Sequence, residues 1–174
     1  MQLINPTGSR TVQIQNDESV TITLEDLESG SREFDLNIEL IGANAECYVE
    51  GRAHATVKDR KIWRIHQSFQ GQNQTGKINV RGVAEGESFL QIDGAATLEQ
   101  TSENADAEIN ERVILFDNGK GRLLPVLRVE TDQVKSASHG ASIAPVEYEK
   151  ILYFMARGIE KNAAEAMVKE GFLH

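Results

Sequence analysis

The chain has 174 residues with a net charge of −9 at pH 7, and its 40% hydrophobic content suffices for one domain with a proper core. This acidic balance, with no run of Lys or Arg, argues against nucleic acid and anionic membranes as partners. The N-terminal stretch MQLINPTGSR contains no signal-peptide pattern, and no window has the ~18 apolar residues that a membrane span needs. The single cysteine, Cys47, excludes an internal disulfide, and we therefore expect a soluble cytoplasmic protein.

Short segments in which apolar and polar residues alternate fill the chain from about residue 10 to 137. A period of two is typical of strands with one buried face. The segments are 11–15, 20–24, 34–41, 61–69, 76–83, 88–92, 95–100, 109–116 and 122–130. Because they recur every ~10–12 residues, they predict an all-β sandwich, barrel or solenoid. Asn118-Gly119, between two segments, indicates a hairpin or a corner.

The period changes after Pro145, where apolar residues follow helical spacing. Pro145 suits the first turn of a helix, which needs no N–H from that residue. Gly158 is the expected left-handed residue that ends this helix. A second helix is predicted from about residue 160 to 170, stopped by Gly171.

The stretch QVKSASHGASIAP, residues 133–145, surrounds His139 with residues of little bulk. Small neighbours permit close backbone approach and leave the imidazole accessible. Three interpretations remain open for His139, which are a ligand site, a subunit contact and a tight turn closing the last β segment.

The remaining reactive residues indicate no catalytic site. No two of the four histidines have a metal-ligand spacing, and no nucleophile elbow or phosphate-binding glycine loop is present. For His66, in the middle of a predicted strand, a hydrogen-bonded structural role is favoured. Cys47 is predicted to be a buried and unreactive thiol, since Glu46 beside it does not favour a thiolate. We therefore expect a protein that is not an enzyme.

The C-terminal third resembles the SufB/SufD family of iron–sulfur cluster assembly scaffold proteins. In that family a P-x-L-x-I/V strand leads to an S-H-G-A-T-like turn, and two helices with the patterns L-F-Y-x-x-S-R-G and A-x-x-M/L-x-x-x-F follow. The matching residues here are Pro125, Leu127, Val129, Ser138, His139, Gly140, Ala141, Ser142, Leu152, Tyr153, Arg157, Gly158, Ile159, Ala163, Met167, Gly171 and Phe172. Upstream strand-and-turn segments extend the likeness to residues 34–174.

The resemblance implies a right-handed parallel β-helix core at residues 1–144 and a C-terminal two-helix unit at residues 145–174. Family members pair through the core and bind a SufC-type ATPase on their C-terminal helices. The partner is then expected to be that ATPase together with a SufB-like subunit, or a second copy in a homodimer. Tyr153, Arg157 and Met167 are large groups on short helices that depend on packing an apolar face, so they are the expected partner contacts.

The residue directly after His139 is Gly140, as in the SufD-like branch of the family, whereas the SufB-like branch tends to carry a glutamate at this position. Gly119 stands at the position of one SufB-like thiolate, and the other would fall near Ile38. The chain therefore resembles a shortened SufD-like member, in which the role of cluster ligand carries over to His139 only. One histidine and one misplaced cysteine do not hold a cluster, so any iron–sulfur cluster would be shared with a partner chain.

Two other functions remain open at this point. One is a carbohydrate-binding or polysaccharide-active β-helix protein, for which Trp63 is the sole large aromatic platform. The other is a purely structural β-solenoid.

Overall fold

The structure, a computed structural model, describes residues 2–4 and 6–174, in which twelve strands precede two helices. Met1 and Asn5, both within the predicted β region, lie outside the described residues. The strands are β1 (Gln2–Ile4), β2 (Gly8–Ile14), β3 (Ser19–Asp26), β4 (Arg32–Leu40), β5 (Glu46–Ala55), β6 (Arg60–Phe69), β7 (Thr75–Ala84), β8 (Phe89–Leu98), β9 (Ala105–Leu115), β10 (Lys120–Leu123), β11 (Val126–Val129) and β12 (Val134–Pro145). The helices are α1 (Tyr148–Met155) and α2 (Lys161–Leu173).

The strands form two sheets between which the chain alternates. The first sheet has the order β1-β3-β5-β7-β9-β12, and the second has the order β2-β4-β6-β8, with β10 and β11 both pairing with β8. The pairs are all parallel. A chain that returns to the same sheet in a parallel direction after each crossing is a solenoid, so the predicted parallel β-helix is confirmed. The sandwich and barrel alternatives are wrong, and Asn118-Gly119 lies in a corner rather than in a hairpin.

From β2 onward, successive rungs of the solenoid are offset by 26 to 31 residues, as the pairs Gly8–Phe34 and Thr75–Asp106 illustrate. One corner repeats the same conformation in four rungs. Asp17, Asn44, Asn73 and Asn104 all have φ between 54° and 58°, a left-handed conformation that Asn and Asp tolerate better than other non-glycine residues. Their side chains form a ladder in which each amide donates to the preceding residue at 2.8, 3.2 and 2.7 Å.

Side chains that alternate inward along every strand fill the core between the two sheets. Ile, Leu and Val dominate, and the largest buried groups include Phe34, Trp63 and Phe69, each fully inaccessible. The rings of Phe34 and Trp63 meet edge to face with centroids 6.5 Å apart. The period of two in the sequence therefore corresponds to an interior that is continuous from rung to rung.

Three of the predicted strand segments are joined or divided differently in the structure. The segments 88–92 and 95–100, predicted as separate strands, are joined in the single strand β8, which begins at Phe89 and ends at Leu98, because Asp93-Gly94 continues the strand instead of turning. The segment 122–130 is split into β10 and β11 at Pro125, which has no N–H to give to the ladder with β8.

The helical prediction is confirmed in outline and wrong at two residues. Gly158 has φ of +83° just after α1, as expected for a left-handed terminator. Pro145 is instead the last residue of β12, paired with Leu115, because an edge strand tolerates a missing N–H. Gly171 lies inside α2, which continues to Leu173, since burial of Leu173 offsets the ~1 kcal/mol helix cost of one glycine.

The two helices pack on the outer face of the first sheet through a second apolar cluster. It contains Val83, Phe116, Ile151, Ala164 and Leu173. Two polar contacts also hold α2 against β7 and the residue that follows it. Arg81 Nη1 donates to Phe172 O at 3.2 Å, and Lys169 forms an ion pair with Glu85. In residues 2–4 and 6–174, neither helix is long and apolar enough to cross a membrane.

Candidate functional site

The C-terminal end of the solenoid exposes two strand edges, and we call it the open end. One edge belongs to β12, which pairs with β9 on one side only; the other belongs to β10 and β11, which pair only with β8. Within the part of the chain that the structure describes, no strand covers either edge. Inward-facing residues of this last rung, such as Val129 and Ile143, are 46% and 42% exposed although they continue core rows. The free backbone N–H and C=O groups of such an edge can pair with a strand of another chain, which would also cover the exposed core residues.

His139 lies in the middle of β12, so the interpretation of its stretch as a tight turn is wrong. Small residues have low strand propensity, but β12 pairs with β9 over nearly its whole length, and this tertiary pairing overrides propensity. His139 is in register with the buried Ile109, so its side chain stands on the inward face of the open end. It is exposed there because no further rung among the described residues covers it.

Glu111 is a buried carboxyl group one rung below this position. It is fully inaccessible, and it is in register with Ala141 of β12, two residues from His139. Burial raises the pKa of Glu111 to about 8; the backbone hydrogen bond from Gly94 lowers it and the charge of Asp93 raises it further. The carboxyl group is therefore largely protonated near neutral pH.

The position of Glu111 is linked to the break between β10 and β11. Ile92 pairs with Leu123 and Ala95 with Val126, so Asp93 and Gly94 have no register partner on the next rung. The N–H of Gly94 turns inward and donates to Glu111 Oε1 at 2.6 Å, while Oε2 is buried with no hydrogen-bond partner in the described residues. A Cβ at position 94 would lie 2.4 Å from Glu111 Oε1, which accounts for glycine there.

An apolar groove of about 680 Å³ separates α1, α2 and the end of β12, and we call it the helix groove. Tyr153 and Met167, predicted as partner contacts, both line it and are 56% and 44% exposed. Phe154 and Phe172 form its deeper wall, and Glu147, Glu149 and Lys150 lie among its lining residues. The structure thus brings two of the three predicted contacts together on one surface.

Arg157, the third predicted contact, is held by its own helix. Its guanidinium lies 3.5 Å from the centroid of the Tyr153 ring, and Nη1 donates to Tyr153 O at 2.9 Å. This stacking fixes the orientation of the Tyr153 ring. Arg157 therefore supports the helix groove without lining it.

The other candidate residues lie away from both surfaces. Cys47 is buried, and burial raises the pKa of its thiol to about 12, in agreement with the predicted unreactive cysteine. His66 Nε2 is 2.9 Å from Thr97 Oγ1, and its pKa is lowered by burial, as expected for a structural histidine. Trp63 is enclosed in the core, so it offers no platform to a sugar.

Metal-binding side chains do not converge in the described residues, which contain no group of three or more His, Cys, Asp or Glu side chains able to hold a metal. His139 and Cys47 are on strands of the first sheet that β7 and β9 separate. The residues of one chain therefore do not fit an iron–sulfur cluster by themselves. Glu111, which the sequence reasoning missed, gave no signal beyond a charged residue at an inward position of a strand.

The fold and these two surfaces define a parallel β-helix protein with a C-terminal helix pair. A family model described as "SUF system FeS cluster assembly, SufBD core domain" matches residues 5–172, so the chain belongs to this family.

Among curated proteins, it is 33% identical over 104 residues to the iron–sulfur cluster assembly protein SufD of Bacillus subtilis, covering 59% of this chain and 24% of that protein. It is 29% identical over 65 residues to the SufBD family protein Mb1497 of Mycobacterium bovis, covering 37% of this chain and 16% of that protein. The chain thus spans a quarter or less of the length of these relatives.

Proposed function

We propose that the chain is a SufD-like scaffold or partner subunit in SUF-type iron–sulfur cluster assembly and that it acts by association rather than as an enzyme. Family membership supports the system, and the exposed edge of β12 is the observation that carries the mode of action. In this proposal the β-helix, residues 1–144, pairs with a second scaffold subunit, and the two-helix unit, residues 145–174, binds a SufC-type ATPase.

The β12 edge is suited to pairing by strand addition. It offers twelve residues of strand, and from Ser136 to Ala144 its side chains are small apart from His139 and Ile143. Small side chains allow a second backbone to approach closely, and the free N–H and C=O groups supply hydrogen bonds. The partner is a SufB-like subunit or a second copy.

The helix groove is suited to binding the ATPase because its lining is mostly apolar and both helices flank it. Tyr153 presents an aromatic ring whose orientation Arg157 fixes, and rigid aromatic groups are common anchors at interfaces. Met167 is a flexible neighbour that adapts to the surface of a partner. Movement of the ATPase on ATP hydrolysis would then change the relative position of paired scaffolds through the helices.

An iron–sulfur cluster would be cargo of the paired scaffolds. Pairing at β12 would bring residues of a second chain to His139, which faces the open end. An imidazole is an accepted ligand of iron in such clusters, whereas the buried thiol of Cys47 is out of reach. His139 is therefore proposed as one shared ligand, with the remaining ligands coming from the partner.

The proposal is tested by co-purification of the full chain with the SufC-type ATPase and the SufB-like subunit of its own organism. Tyr153→Ala should lower retention of the ATPase at least tenfold, because it removes the exposed aromatic ring that lines the groove. Tyr148→Ala is the matched control, since Tyr148 is equally exposed on α1 but does not line the groove. Unchanged retention of the ATPase by Tyr153→Ala would move the contact elsewhere, and no retention by the wild type would refute it.

A further inference from the structure

The second edge of the open end, formed by β10 and β11, is basic. Lys120, Arg122 and Arg128 are in register with Phe89, Gln91 and Thr97, and they alternate with the inward residues Gly121, Leu123 and Leu127. All three basic side chains are exposed on the outer face. In residues 2–4 and 6–174, none of them has a carboxylate within ion-pair distance or a side-chain hydrogen bond. We call these three residues the basic edge.

This concentration of positive charge contrasts with the rest of the chain, whose net charge is −9. Neither β10 nor β11 contains an acidic residue, although the exposed Glu130 directly follows β11 and donates its N–H to Leu98 O at 2.8 Å, and Pro125 interrupts the edge between the two strands. Charged residues and proline on an edge strand oppose pairing with an identical strand. The β12 edge differs, because its one lysine, Lys135, is paired with Asp106 at 3.5 Å.

End-to-end association of two identical solenoids brings equivalent edges together. When β12 of one copy pairs with β12 of a second copy about a two-fold axis, the same rotation places basic edge against basic edge. Six cations that have no ion-pair partner in the described residues then lie along the contact, and like charges on neighbouring strands repel. A partner with carboxylates at the matching edge positions converts the same geometry into attraction.

We propose that the basic edge selects the pairing partner of this chain, disfavouring a second copy and accepting a different protein with an acidic edge. This inference rests on the proposed pairing through the β-helix and names which partner that pairing accepts. Electrostatic selection of this kind is a repulsive device against the wrong partner as much as an attraction to the right one. Affinity for the acidic partner falls with salt, whereas self-association rises as salt screens the repulsion.

The test uses the chain against a charge-reversed copy of itself, so that no unidentified ligand is needed. Lys120→Glu, Arg122→Glu and Arg128→Glu are combined in one variant, and its fold is verified by circular dichroism and thermal unfolding. Sedimentation velocity then measures wild type alone, variant alone and an equimolar mixture at about 50 mM and about 1 M salt. The mixture should associate at least tenfold more tightly than either protein alone at low salt, and high salt should remove the difference.

The matched control reverses three other exposed cations, Arg10, Lys58 and Lys161, which gives the same change in net charge away from the basic edge. Its mixture with wild type should associate no better than wild type alone. Equal association of both mixtures, or wild-type self-association as tight as the charge-reversed mixture, overturns the selection while leaving pairing intact. Absence of association at both salt concentrations overturns the end-to-end pairing itself, and the selection with it.

Discussion

The buried carboxyl group of Glu111 should make the stability of the protein depend on pH in a way that one substitution removes. In the unfolded chain this group ionises near its ordinary pKa of 4.5, whereas in the folded protein burial holds the proton until a pKa of about 8. Folding therefore takes up a proton between these values, and the contribution of Glu111 to stability falls as pH rises through that window.

The magnitude follows from the two pKa values. Each pH unit inside the window changes the free energy of unfolding by about 1.4 kcal/mol, less near its lower edge, so between pH 5 and pH 7 this one group costs the wild type about 2.5 kcal/mol. Glu111→Gln removes the titration and keeps an oxygen to accept from the N–H of Gly94. The variant should thus gain about 2.5 kcal/mol relative to wild type over the same pH range, whatever the offset between them at pH 5.

Urea unfolding at pH 5, 6 and 7 measures this difference, with Glu108→Gln as control. Glu108 is on the same strand but is half-exposed and paired with Lys77 at 3.1 Å, so Glu108→Gln should keep the wild-type loss of stability between pH 5 and pH 7. Curves for wild type and Glu111→Gln that remain parallel between pH 5 and pH 7 would show that Glu111 is ionised in the folded protein, and the argument would be refuted.

Two further substitutions test the packing around the two surfaces. Gly94→Ala places a Cβ 2.4 Å from Glu111 Oε1 and should lower the free energy of unfolding in urea by about 1–3 kcal/mol. An unchanged free energy of unfolding would contradict the close approach of the Glu111 side chain to the backbone of β8. Lys169→Met removes the ion pair between α2 and Glu85 and the contact of the ammonium group with the Phe116 ring. The free energy of local opening of α2, measured by hydrogen exchange in residues 161–173, should therefore fall by about 1–2 kcal/mol. Unchanged exchange in these residues would contradict the proposed attachment of α2 to the sheet.

The strands themselves were predictable because alternation is a local signal. Segments such as 34–41 and 61–69 show it plainly, and both are strands of the second sheet. Alternation does not determine which strand pairs with which, so it is compatible with a sandwich, a barrel or a solenoid, and only the parallel registers distinguish them. The resemblance in the C-terminal third supplied the β-helix, since that choice depends on pairings between residues about 30 positions apart.

The errors in the sequence prediction came from residues whose local preference is overridden by neighbours distant in the chain. Ser, Ala and Gly around His139 are typical of a turn, but pairing with β9 makes them a strand. Asp93-Gly94 has the composition of a turn, yet Gly94 is there because Glu111 approaches its backbone. In the site, Tyr153 and Met167 were found from helical spacing, whereas the basic edge depends on two short strands that follow one another along β8 at one end of the solenoid.

The central claim is that the chain associates with another scaffold through the β12 edge, and hydrogen–deuterium exchange of residues 134–145 tests it most directly. On its own, this edge strand has backbone N–H groups with no partner strand on one side, so about half of its amides should exchange rapidly. In complex with the SufB-like subunit, those amides should become protected together. A stable complex in which exchange across residues 134–145 is unchanged would contradict the claim.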